Sequence, residues 1–184
     1  MPESEVVDSL KKLRRSPSRA AQVRSGKWLK DKINKSKGKR IGKSSRPTIG
    51  KMYLMGYDPK HSDTLPYYDA LPLIIPIAMY SDGFLALNLH YLPAKPRINL
   101  LLALMQTMTG KGENARIKAS YEMLNAAAKY KEFTPTVHRY LWSHISSPPL
   151  IIDPDDWEYV ALLPLAKFKK KSRAAIYRDS MGMI

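Results

Sequence analysis

The chain of 184 residues carries 31 Lys and Arg against 16 Asp and Glu, a net charge of +15, and has no cysteine. The missing cysteine excludes disulfides, zinc–thiolate centres and a thiol nucleophile, and no apolar run reaches the roughly 20 residues of a membrane span. The charge is uneven: sixteen of the cations lie in residues 1–51 against Glu3, Glu5, Asp8 and Asp31, so that segment holds +12 and the remaining 133 residues only +3. This predicts a basic extended arm over residues 1–50, disordered when free, and a compact domain over 51–184. An arm with so few apolar groups takes its shape from an anionic or assembled partner. No apolar stretch at the N-terminus reads as an export signal, since charge separates Val6, Val7, Leu10 and Leu13.

Within the arm, Val6, Leu10 and Leu13 at i, i+4 and i+7 predict a short basic helix over 6–15. From Ser16 to Gly50 the sequence is polar and cationic, punctuated by Trp28, Leu29, Ile33 and Ile41. These can form an apolar patch for docking on a partner, too small to fold alone. The residues expected to bind a partner are Arg14, Arg15, Arg24, Trp28, Leu29, Ile33, Lys37, Lys39 and Arg40.

Composition then shifts. Lys51–Tyr57 reads as a strand, Asp58-Pro59-Lys60 as a turn, and Leu65–Asp69 as an aromatic connector. Leu73–Tyr80 and Phe84–Leu92 predict a β-hairpin around Ser81-Asp82-Gly83. Period-two spacing puts Leu85, Leu87 and Leu89 on one buried face and Asn88 and His90 on the other. Helices are predicted over Arg97–Met108, over Glu113–Glu132, and over Pro135–Ser146 with Thr134 as N-cap. Leu150–Ile152 and Tyr159–Leu163 read as strands around a turn opened by Asp153, and the basic C-terminus carries a helix over Ser172–Arg178. The fourteen prolines keep these elements short. The order implies an α+β fold: a small mixed or antiparallel sheet built on the hairpin at about 73–92, with three or four short helices, preceded by the arm. Tyr57, Tyr67, Tyr68 and Trp157 are expected to be core or interface aromatics.

No constellation reads as catalytic. His61, His90, His138 and His144 lack the acidic support of a metal-binding helix pattern, so hydrogen-bonded structural roles are favoured. Asp153, Asp155, Asp156 and Glu158 lack the glycine and ladder of a calcium loop; they fit a helix N-terminus, where the macrodipole favours acids. Asp58, Asp63 and Asp69 lack the Glu-x-Lys partner of a nuclease site. The run from Lys37 to Ser44 places its glycines one residue too close for a phosphate loop. It is still suited to contacting nucleic-acid phosphates or threading an acidic groove on a protein. Trp28 and Tyr53 near that tract could stack on bases. No cofactor or metal is implied, and the chain is read as non-enzymatic.

The motifs Tyr57-Asp58-Pro59-Lys60, Thr64-Leu65-Pro66-Tyr67-Tyr68-Asp69 and Gly83-Phe84-Leu85, continuing through Leu87-Asn88-Leu89-His90-Tyr91-Leu92-Pro93, resemble an uncharacterised family of virion proteins of contractile-tailed bacteriophages. Asp155-Asp156-Trp157-Glu158 and Ile176-Tyr177-Arg178-Asp179-Ser180 are similar to it as well. The resemblance implies a structural subunit, made in the host cytoplasm and carried in the virion. It favours the tail or baseplate, with the arm clamping neighbours in a symmetric assembly. The alternative is a packaged or DNA-associated protein whose arm contacts phosphates.

Overall fold

The computed structural model describes residues 3–16, 19–38, 46–108, 122, 131–162 and 165–183. Helices α1 (Glu3–Arg15) and α2 (Arg19–Gly38) come first, then β1 (Met52–Leu54), β2 (Tyr68–Asp69), β3 (Leu73–Met79) and β4 (Gly83–Asn88). Helix α3 (Ala94–Met108), β5 (Val137–Leu141), β6 (Leu150–Ile152), α4 (Trp157–Leu162), β7 (Phe168–Lys169) and α5 (Arg173–Gly182) follow. The fold is α+β. One sheet has five antiparallel strands in the order β5-β4-β3-β1-β6, and β2 and β7 form a second, two-stranded one.

The hairpin forms as its pattern dictates. β3 pairs β4 from Ile74 opposite Asn88 to Met79 opposite Phe84, with the register slipping between Pro76 and Ala78. Pro76 has no N–H to give to a ladder, so an irregularity at that point is expected. Gly83 opens β4 where β5 passes close: a Cβ there would lie 1.9 Å from the Tyr140 carbonyl oxygen. Alternation divides the apolar residues between two faces. Leu73, Ile75, Ile77, Leu87 and Leu89 join Val6, Leu10 and Leu13 of α1, with Leu101 and Met105 of α3 and Trp157 and Val160 of α4, in the main core. Tyr53, Met55, Tyr57, Ile74, Phe84, Ala86 and Tyr140 form a second cluster on the other face. Leu85 is half-buried against the main core, and Asn88 and His90 are fully buried rather than facing water.

Three expectations are corrected. The short helix expected over 6–15 is present as α1, whereas the arm beyond it, expected to be extended, is helical over 19–38. The stripe Val6, Leu10 and Leu13 is buried in a core shared with α3, and Ala21 and Ser25 of α2 are buried as well. The helix expected over Pro135–Ser146 is instead a 3₁₀ turn over Lys131–Thr136, strand β5, and a second turn over Trp142–His144. Val137, Tyr140 and Leu141 suit a pleated surface, and β5 satisfies the open edge of β4. Thr134 therefore caps no helix there, while the Thr136 hydroxyl donates to the Phe133 carbonyl at 2.6 Å. The strand expected over Tyr159–Leu163 is α4, whose Trp157, Val160 and Ala161 fall at i, i+3 and i+4 and bury one face. Asp155 and Asp156 precede α4 and Glu158 lies in its first turn, where acids are favoured. The helix expected over Glu113–Glu132 lies outside the described residues, apart from helical Glu122 and the start of the 3₁₀ turn. The C-terminal helix is present as α5, with the Ser172 hydroxyl accepting from Ala175 N as N-cap.

Candidate nucleic-acid interface

The helical period sorts α2 into two faces. Ala21, Ser25, Trp28 and Lys32 lie on the inner one. The Trp28 ring stacks on Tyr159 with centroids 5.3 Å apart and planes 10° from parallel, and its Nε1–H donates to Asp156 at 2.8 Å. Lys32 pairs with Asp156 and, at 3.2 Å, with Asp153. Partial burial works against the Lys32 charge, but the two carboxylates win and raise its pKa. On α1, the Ser9 hydroxyl donates to Glu158. The acidic turn before α4 thus receives one cation and one indole of the basic segment from within the same chain.

The outer face is different. Arg19, Lys27 and Lys30 follow one another along α2 at helical spacing, with Val23 among them at 66% exposure. Lys12, Arg14 and Arg15 are exposed at the end of α1, and Arg24 on the flank of α2. None of these seven cations forms a salt bridge among the described residues; on α1, Lys11 pairs with Asp8 at 3.5 Å. A 20-residue helix is about 30 Å long, so α2 presents its unpaired charge as a rod held in place by its other side.

The charged and polar groups near the sheet are used differently. Asp69 accepts from His90 Nδ1 at 2.6 Å, Leu71 N at 3.0 Å, Lys167 N at 3.0 Å and Asn88 Nδ2 at 3.3 Å. Burial opposes its charge, but these donors hold its pKa below the ordinary carboxylate range. Burial also lowers the His90 pKa in spite of Asp69, so the ring is neutral with Nδ1–H donating. His90 Nε2 is buried without a hydrogen-bond partner among the described residues. Arg97, 3% exposed, donates to the carbonyls of Leu89 and Leu92, both at 2.9 Å, and to the Tyr177 hydroxyl at 3.1 Å. It ties the start of α3 to the end of the hairpin and to α5. The basic C-terminal turn is also partly engaged: Lys170 donates to the carbonyls of Asp63 and Leu65, and Lys171 pairs with Asp179 and sits over the Tyr67 ring.

Of the residues singled out in the sequence, Arg14, Arg15 and Arg24 lie on this cationic surface, while Trp28 and Leu29 pack against the chain's own core. Ile33 and Lys37 are on α2 without described side chains, and Lys39 and Arg40 lie outside the described residues, as does the tract to Ser44. Tyr57 is buried edge-on to Tyr140 and its oxygen accepts from Leu141 N at 3.1 Å. Tyr67 is half-buried beside Tyr91, Tyr68 is in β2, and Trp157 is 2% exposed in the core. Sequence reading missed Lys12, Lys27, Lys30 and Tyr159; Lys12 lies within the helix predicted over 6–15, and extending that period through residue 38 would have found Lys27 and Lys30. It also missed the tip of the hairpin, where Arg139 lies 3.9 Å over the Tyr80 ring and pairs with Asp82.

Among the described residues no three metal-binding side chains cluster, and no helix is long and apolar enough to cross a membrane. The surface offers a row of cations without a salt bridge among the described residues, on a helix whose other face is packed, which is the electrostatic footprint for a polyanion. Comparison with curated proteins and with solved structures gives no match. Residues 4–179 match the family described as the phage T4 terminal DNA protecting protein, so the chain belongs to that bacteriophage protein family.

Proposed function

We propose that this protein binds the ends of phage DNA through the cationic surface of α1 and α2 and shields them, without catalysing a reaction. The observation that carries the reading is the row Arg19, Lys27 and Lys30 with Lys12, Arg14, Arg15 and Arg24. These cations are exposed and without a salt bridge among the described residues, on helices whose opposite faces are buried. A polyanion is the partner such a surface lacks, because each neutralised phosphate releases counterions. The family description, which names terminal DNA, supports the same partner. The tail or baseplate clamp gains no support from that family. Trp28 and Leu29, the residues expected to grip a neighbouring subunit, are engaged within the chain.

Binding to linear duplex and to covalently closed circular duplex of the same sequence tests the proposal. Linear DNA should bind more tightly and resist an exonuclease that starts at ends, and affinity should fall steeply between about 50 and 200 mM salt. Equal affinity for both forms would reduce the protein to a general DNA coat. No binding to either would return the assembly clamp to first place.

A further inference from the structure

Between α1 and α2, with α4 closing one side, lies a groove of about 550 Å³. It falls in the range of pockets that take small ligands, about 300–1,000 Å³, whereas the outer face of α2 is convex. Lys12 and Ser16 line it from α1, Arg24 from α2, and Glu158 and Tyr159 from α4. Its charges are unequally engaged. Asp8, at the rim, pairs with Lys11, and Glu158 accepts from the Ser9 hydroxyl, whereas Lys12 and Arg24 have no salt bridge among the described residues. Tyr159 is held parallel to Trp28, so its aromatic wall is positioned before any ligand arrives.

We infer that this groove receives the terminal nucleotide of a DNA end, with Lys12 and Arg24 on its terminal phosphomonoester and Tyr159 beside the base. The inference rests on the DNA-end reading above and deepens it. A phosphomonoester carries about −1.5 to −2 charges at neutral pH, against one for an internal phosphodiester, so Lys12 and Arg24, without a salt bridge among the described residues, favour the terminus over the interior although the Glu158 carboxylate also lines the groove. An arginine and a lysine suit that group, the first through its planar fork and the second as a point charge. A volume of about 550 Å³ is on the scale of one nucleotide, and the concave site is distinct from the phosphate contacts along the outer face of α2.

The test uses hairpin duplexes with a single open end bearing a 5′-phosphate, a 3′-phosphate or hydroxyls only. The full chain should bind one of the phosphorylated ends at least about tenfold more tightly than the hydroxyl end, the expected scale for charge-assisted hydrogen bonds. The Lys12→Gln/Arg24→Gln variant should lose that discrimination while still binding linear DNA through α2, and circular dichroism should show an unchanged fold. Lys27→Gln/Lys30→Gln, outside the groove, should weaken all three duplexes alike and keep the discrimination. Equal binding of all three ends by the unaltered protein, or discrimination that survives Lys12→Gln/Arg24→Gln, overturns the groove assignment while leaving DNA-end binding in place. Equal affinity for linear and closed-circular DNA instead overturns the reading on which it rests. A 5′-mononucleotide that competes at the same concentration as the duplex end would also overturn it, showing a free-nucleotide pocket.

Discussion

Charged groups in two regions of this molecule meet opposite fates. Around the hairpin, Asp69 and Arg97 are buried and carry four and at least three hydrogen bonds from or to named partners. On α1 and α2, Lys12, Arg14, Arg15, Arg19, Arg24, Lys27 and Lys30 are exposed with no salt bridge among the described residues. A buried charge persists only when its neighbours replace water, so the first set fixes the fold. An exposed charge contributes little to stability, so the second set is available to a ligand. Stability and binding should therefore respond separately to substitution.

The sharpest test of that division is Asp69→Ala. It leaves the His90, Asn88, Leu71 and Lys167 donors without their acceptor, and each buried donor left unsatisfied costs about 1–3 kcal/mol. Urea unfolding should show this loss, and a change near zero would mean the network is hydrated. Leu87→Ala in the main core should cost about 2–5 kcal/mol. A value below about 1 kcal/mol would mean the wrong face of β4 has been taken as the core.

Leu10→Ala asks whether the basic segment belongs to the folded unit. Leu10 is fully buried beside α3, so the substitution should destabilise by about 2–5 kcal/mol, at the lower end if α1 can shift to fill the space. A negligible effect, together with proteolysis that removes residues 1–50 and leaves a resistant fragment from about Lys51, would show that the segment behaves as a detachable arm.

Acid should act on the buried region alone. Burial lowers the pKa of His90, and lowers that of His138 to about 4 against the pull of the Pro135 carbonyl. The unfolded chain protonates both rings near pH 6.5, so their contribution to stability is complete above that pH and is lost as pH falls towards 4. Asp69, whose pKa is lowered, adds a further loss only below its unfolded value, near pH 4. Unfolding midpoints at pH 8 and pH 5 should differ accordingly, and a flat profile would contradict the neutral histidines. The smallest effect on stability is expected from Lys27→Gln/Lys30→Gln, within about 0.5 kcal/mol. The same variant should lower the slope of log affinity against log salt by about 1 for each phosphate contact removed.

Much of this was legible in the residues. The alternation of Leu85, Leu87 and Leu89 around Ser81-Asp82-Gly83 specified the hairpin and its leucine face, because a two-residue period has one geometric reading. The i, i+4, i+7 spacing of Val6, Leu10 and Leu13 specified α1, and Ser172 specified the start of α5. The pattern failed where local preference was divided. Val137, Tyr140 and Leu141 fit a helical period as well as a strand, and the open edge of β4 decided for the strand. Tyr159–Leu163 fit a strand, and burial of Trp157, Val160 and Ala161 against the main core decided for a helix.

The sequence by itself determined the charge asymmetry, the α+β class and the hairpin, because composition and short-range period depend on neighbours along the chain. Only the tertiary structure decided which charges are spent. Asp69 lies 21 residues from His90, and Lys32 lies 124 from Asp156, distances over which no local pattern carries information. Folding pairs those groups and leaves Lys12, Arg24, Lys27 and Lys30 without a salt bridge among the described residues, because their helix positions face water or the groove and no described carboxylate reaches them.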